Sequence, residues 1–114
     1  MRRGDLYRVA RPDNDPRPAR IYVVVSRDAF LEVAYSSAAC VPVYSTVHGL
    51  ETEVLLDERN GLKRLSAARC DEVTSLPRSR LTDFIGTATP SQVNELATAL
   101  AVAFSIGPEH TRNL

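Results

Sequence analysis

The sequence predicts a mainly β domain with helical segments (α+β), a small and strongly bent β-barrel that carries a C-terminal helix. Three observations predict it: short alternating or β-branched segments recur between residues 5 and 87, turn formers separate them, and one capped amphipathic stretch follows. With 114 residues, the chain is expected to form one domain over 1–114, long enough for a single core and too short for a second.

The elements follow in order. "DLYRVA" alternates and reads as a strand, and the prolines and Asp/Asn of "RPDNDPRPA" mark an exposed loop after it. "RIYVVVS", from Arg20 to Ser26, is too apolar for an edge and reads as a central strand. "AACVPVY" is a further strand, in which Pro42 requires an edge position or a bulge. "TEVLL" at 52–56 alternates, Asn60-Gly61 signals a tight turn, and "KRLSAARCDEV" resumes extended structure. "LPRSRLTDFIGTA" reads as a turn or short helical piece leading into a last strand. The helix is signalled most sharply. Thr89 is its N-cap, Pro90 occupies the first helical position, and Gln92 completes a capping box. Val93, Leu96, Ala97, Leu100 and Phe104 form its apolar stripe, and Gly107 and Pro108 end it.

Composition narrows the function classes. A 44% hydrophobic and 25% charged chain reads as soluble and globular. No apolar run approaches the roughly 18 residues of a membrane span, and "MRRGDLYRVA" lacks the apolar core of a signal peptide, so a cytoplasmic protein is expected. Cys40 and Cys70 sit in apolar segments and read as buried thiols, and neither a metal nor a cofactor is expected. Formal net charge is zero, so any binding of phosphate must be local. Residues 1–20 nevertheless hold six Arg against three Asp, and all but one of the 14 basic residues are Arg. The planar guanidinium suits phosphate, although a compositional preference for Arg over Lys accounts for the bias equally well.

The stretch "AARCDEV" raises a chemical question. In a strand, Arg69 and Asp71 would stand side by side on one face, with Cys70 turned the other way. Such a pair on an apolar strand must be exposed, mutually satisfied, or aimed at a ligand.

The runs "RRGDLYRV", "RIYVVVSRDAF", "CVPVYST", "NGLKRLSAARCDEVTSLPRSRL" and "IGTATPSQVNELATAL" resemble, in order and spacing, the MazF/PemK family of toxin endoribonucleases, over about residues 2 to 106. The resemblance implies an SH3-like, CcdB-type barrel, a homodimer, and metal-independent, sequence-selective cutting of single-stranded RNA. It also implies a cognate antitoxin, whose disordered acidic tail would block the RNA groove. Metal-free cleavage needs a base for the ribose 2′-OH, an acid for the departing oxygen, and cations for the phosphate. By resemblance to the R-C-D residues of PemK-like members, Asp71 is the base and Arg69 its partner. An unperturbed guanidinium is a poor acid, so charge stabilisation is the easier role for Arg69. Arg20 matches the family arginine that contacts phosphate, with Ile21 in place of the usual Pro; Arg17-Pro18 offers the same dipeptide three residues early, and Arg17 is expected among the RNA contacts. Tyr44 stands where the family usually carries a catalytic Thr, and Ser45 and Thr46 follow it as further RNA contacts. The histidine of the PemK first loop is absent, and His48 is the residue placed to compensate. The competing reading is a non-enzymatic binder on the same barrel, either a gyrase-poisoning CcdB-like toxin or a decayed, antitoxin-binding one.

Overall fold

The computed structural model describes residues 1–33 and 35–107. Among the described residues, seven strands run in chain order: β1 (Asp5–Val9), β2 (Arg20–Val24), β3 (Ser37–Tyr44), β4 (Glu53–Leu56), β5 (Ser66–Arg69), β6 (Thr74–Pro77) and β7 (Asp83–Thr87). Helix α1 (Asp28–Leu31) is a single turn after β2, and α2 (Pro90–Ala103) is the last element among the described residues. The sheet is antiparallel in the order β4-β5-β3-β2-β1-β7, with β6 also on β3. Because β3 pairs with β6 through residues 37–40 and with β5 through 43–44, the sheet curls into a half-barrel. Pro42 falls in the handover between those two partners, so its missing N–H removes no bond from either ladder.

Period-two alternation explains the apolar run in β2. Leu6, Val23 and Val41 face one core, beneath α2, with Leu56, Leu96 and Ala99; Tyr7, Val9, Val24 and Cys40 face a second core with Leu31, Leu76 and Leu81. A strand covered on both faces can be β-branched throughout. Both cysteines are free and buried, which pushes Cys40 up to about 12 and Cys70 up to about 11, so neither is a thiolate at neutral pH.

The capping box of α2 forms as expected: the Thr89 hydroxyl accepts from the Gln92 N–H, and the Gln92 side chain accepts from the Thr89 N–H. The buried face is shifted from the predicted stripe, however. Gln92, Leu96 and Ala99 are buried, whereas Ala97 and Phe104 are exposed, because the helix lies over β4 and the Cys70–Glu72 turn along its 92/96/99 edge. Pro108, the expected stop, lies outside the described residues.

Two further expectations change. The extended run through "KRLSAARCDEV" is broken: β5 ends at Arg69, and Cys70–Glu72 forms one 3-10 turn before β6. Arg69 and Asp71 are therefore not neighbours on a strand face. The Asn60-Gly61 turn ends a 3-10 turn at Glu58–Asn60, with Gly61 left-handed at φ +88°. A Cβ at Gly61 would run into the Ile85 carbonyl, and one at Gly86 into the Asn60 carbonyl, so two backbones meet where only glycine fits.

Candidate active site

Three adjacent strands bring side chains together on one face of the sheet. Arg20 opens β2, Tyr44 closes β3 and Arg69 closes β5, and the register (Ile21 opposite Val43, Tyr44 opposite Ala67) brings their side chains together. The guanidinium carbons of Arg20 and Arg69 lie 4.1 and 4.0 Å from the centroid of the Tyr44 ring. β2 and β5 lie on opposite sides of β3, so the two cations approach the phenol from its two sides. The ring's negative faces hold two like charges that would otherwise repel.

Two carboxylates fix this stack. Glu72 accepts from the Tyr44 hydroxyl at 2.5 Å and from an Arg69 terminal nitrogen at 3.0 Å. Glu53, opposite Arg69 in the β4–β5 register, reaches the Arg69 Nε at 3.8 Å with its side chain 1% exposed. Its other oxygen accepts from the backbone N–H groups of His48 and Leu50. The Tyr44 hydroxyl and the Arg69 guanidinium hold the Glu72 carboxyl below the usual carboxylate range. Burial, with Glu72 beside it, pushes the Tyr44 phenol above its ordinary value, so it is a donor at neutral pH. Burial raises the Glu53 carboxyl, but the backbone N–H groups of Leu50, His48 and Gly49 outweigh it and leave the group below its ordinary value.

The other predicted residues fall outside the stack. Asp71, on the turn after Arg69, accepts from the Thr52 hydroxyl through Oδ2; its Oδ1 has no protein partner among the described residues. Ser45 lines a cleft of about 490 Å³ that begins on the far side of Arg20. Thr46 and His48 are exposed on the following loop, where the His48 backbone, not its ring, serves Glu53. Arg17 is bound by Asp15 at 2.7 Å.

The family model described as PemK-like, MazF-like toxin of type II toxin-antitoxin system matches residues 2–104. The chain belongs to this family. The Endoribonuclease MazF3 of Mycobacterium tuberculosis is 33% identical over 88 residues, which are 77% of this chain and 84% of that relative. The solved Mycobacterium tuberculosis toxin MazF-mt6 aligns with a TM-score of 0.77 at 30% identity, covering 92% of this chain and 99% of that one. An endoribonuclease in complex with its cognate antitoxin, from a mycobacterial species, shares the fold with a TM-score of 0.73 at 23% identity, over 94% and 95% of the two chains. This member of the MazF-like toxins has a curled half-barrel where the resemblance implied an SH3-like barrel, and it carries the helix read from the capping box.

Sequence reasoning missed Glu72 and Glu53. Glu72 is the letter after "RCD", and its role depends on Tyr44, 28 residues away in sequence. Glu53 stood in plain view in the alternating "TEVLL", but its partner is set by the register of β4 on β5.

Proposed function

We propose that this MazF-like toxin is an endoribonuclease that cuts single-stranded RNA with the ribose 2′-OH as nucleophile. The observation that carries the reading is the packing of Tyr44 against Arg20 and Arg69, which presents two guanidiniums and a protonated phenol on one face of the sheet. A phosphate entering there takes the place of Glu72 as acceptor from the Tyr44 hydroxyl and Arg69, while Arg20 neutralises a second oxygen. Asp71, with Oδ1 free, takes the 2′-OH proton. The O2′–P bond forms, the P–O5′ bond breaks, and the departing oxygen takes a proton from water, leaving a 2′,3′-cyclic phosphate and a 5′-hydroxyl. Arg69 serves by charge rather than as an acid. Ser45, Thr46 and His48 are assigned to contacts with the rest of the strand, while Arg17, held by Asp15, acts on it through charge alone.

The same reading includes a homodimer, a cytoplasmic location and a cognate antitoxin. Exposed Leu50, Leu55 and Leu65 along the β4–β5 edge give the apolar surface that a second copy would cover. The paired guanidiniums suit an acidic, disordered antitoxin tail that mimics the phosphate backbone.

The test is an RNA carrying a single 2′-deoxy sugar at the cut site, which must bind and remain intact, while EDTA leaves cleavage of the all-ribose RNA unchanged. Asp71→Asn is expected to lower cleavage by about 100-fold with affinity retained, the scale of a lost general base. Cleavage of the 2′-deoxy substrate would remove the 2′-OH mechanism, and binding of the all-ribose RNA without cleavage would leave the non-enzymatic binder as the better account.

A further inference from the structure

All the charged side chains that line the cleft beyond Arg20 are cations. Arg8 of β1, Arg11 of the first loop, Arg20 of β2, and Lys63 and Arg64 of the β4–β5 connection line it, and no carboxylate does. In a chain of zero net charge, five of the 14 basic side chains converge on one concavity. Arg8 is partly spent on Asp83 at 3.2 Å, but Lys63 and Arg64 have no ion pair among the described residues. Ile21, Val43 and Leu62 supply an apolar floor between the charges.

The wall carrying Lys63 and Arg64 is anchored to the core. Asp57 caps the Glu58–Asn60 turn, Gly61 reverses the chain, and Leu62 inserts with 7% exposure. The Asn60 side chain donates to the Gln92 amide at 2.7 Å and to the Thr87 carbonyl at 3.0 Å. The two unpaired cations are thus presented by a loop whose backbone is already ordered, which lowers the entropic cost of binding a ligand.

We propose that this cleft is a second binding subsite, for the phosphodiester backbone of the RNA strand that flanks the bond cut at Tyr44. The proposal rests on the ribonuclease reading, and Arg20 is the link: it belongs both to the Tyr44 stack and to the cleft. A strand with one phosphate on Arg20 must lay its neighbours on the surfaces to either side. On one side stand the carboxylates of Glu72 and Glu53; on the other stand Arg8, Arg11, Lys63 and Arg64, and a polyanion takes the second route.

Binding of a 2′-deoxy-blocked RNA, long enough to extend past the cut site, tests the proposal across a salt series. Lys63→Gln/Arg64→Gln should raise Kd by about tenfold and reduce the salt slope by about 1.4, the loss of two single-strand phosphate contacts. Arg2→Gln/Arg27→Gln, an equal charge change at two exposed positions outside the cleft, should alter neither. An unchanged Kd and slope in the double variant overturns the subsite while the wild type still cleaves RNA, so the proposed function stands. A wild type that neither binds nor cleaves RNA overturns both. A double variant that loses a poly-glutamate peptide but keeps RNA shows a site for an acidic protein tail and overturns the assignment to RNA.

Discussion

Two connections flank the cationic cleft, and they are held in different ways. The β4–β5 connection, residues 57–65, is tied to the core by buried groups: Asn60 is fully buried, bonds Gln92 and Thr87, and lies against Gly86. The β1–β2 connection, residues 10–19, is held by surface contacts, namely Arg17 on Asp15 and the Arg11 Nε on the Pro18 carbonyl at 3.0 Å. Buried polar pairs are costly to leave half-made, whereas exposed ion pairs are screened and contribute little. One wall of the cleft is therefore part of the folded core, and the other is an appendage whose charges matter more than its shape.

The largest expected effect comes from breaking the fixed wall. Asn60→Ala leaves the Gln92 amide, the Thr87 carbonyl and the Asp57 N–H without their partner. The loss of these buried and part-buried hydrogen bonds costs about 3 kcal/mol together, allowing for local relaxation. Urea unfolding is expected to show this loss, and RNA affinity should fall with it because Lys63 and Arg64 lose their fixed presentation. A destabilised variant with unaltered affinity would mean that the order of this wall is irrelevant to binding.

A second, smaller contrast sets two carboxylates against each other. Arg17 holds Asp15 well below the usual carboxylate range, but at an exposed site. Glu53 is held below its ordinary value behind Arg69, where backbone N–H groups outweigh its burial. A carboxyl depressed in the folded state adds stability above its unfolded value of about 4.3 and loses it as pH falls. Wild-type stability should thus decline below about pH 4.5. Glu53→Gln should lower stability at neutral pH and flatten that acid limb, while Asp15→Asn leaves the limb in place. Chemical denaturation from pH 3 to pH 7 would read both, and identical limbs in wild type and Glu53→Gln would sink the assignment.

The same division between local and distant contacts explains what was legible in the sequence. Strands β1 to β4 and the capping box of α2 were readable because alternation and capping are decided within a few residues. The turn at Cys70–Glu72 was not, since three residues of 3-10 structure carry no periodicity and "RCDEV" looks extended. Strand β6 and the single turn of α1 were missed for the same reason: each is four residues long and is defined by what it packs on. Arg20, Tyr44 and Arg69 could be picked out individually, but their stacking is a product of the β2-β3-β5 order. Glu72, Glu53 and the cation-lined cleft depend on contacts far apart in sequence, which no local pattern records.

The smallest expected effect lies in the loosely held wall. Arg17 was assigned to RNA contact, yet Asp15 binds it through both carboxylate oxygens, at 3.0 Å and 2.7 Å. Its charge is largely cancelled where it stands. Removing only one partner changes the charge of the loop by one: Asp15→Asn frees a cation beside the cleft and should tighten RNA binding about twofold, and Arg17→Gln leaves a bare carboxylate and should weaken it by a similar factor. The double variant Asp15→Asn/Arg17→Gln restores the balance and should bind like the wild type, with an unchanged salt slope. The four affinities form a cycle in which the two single effects cancel, as expected for a loop acting through net charge. A double variant that instead loses affinity about tenfold, with the salt slope falling by about 0.7, would place Arg17 directly on a phosphate. The first loop would then contribute a fixed contact, and the contrast between the two walls of the cleft would fail.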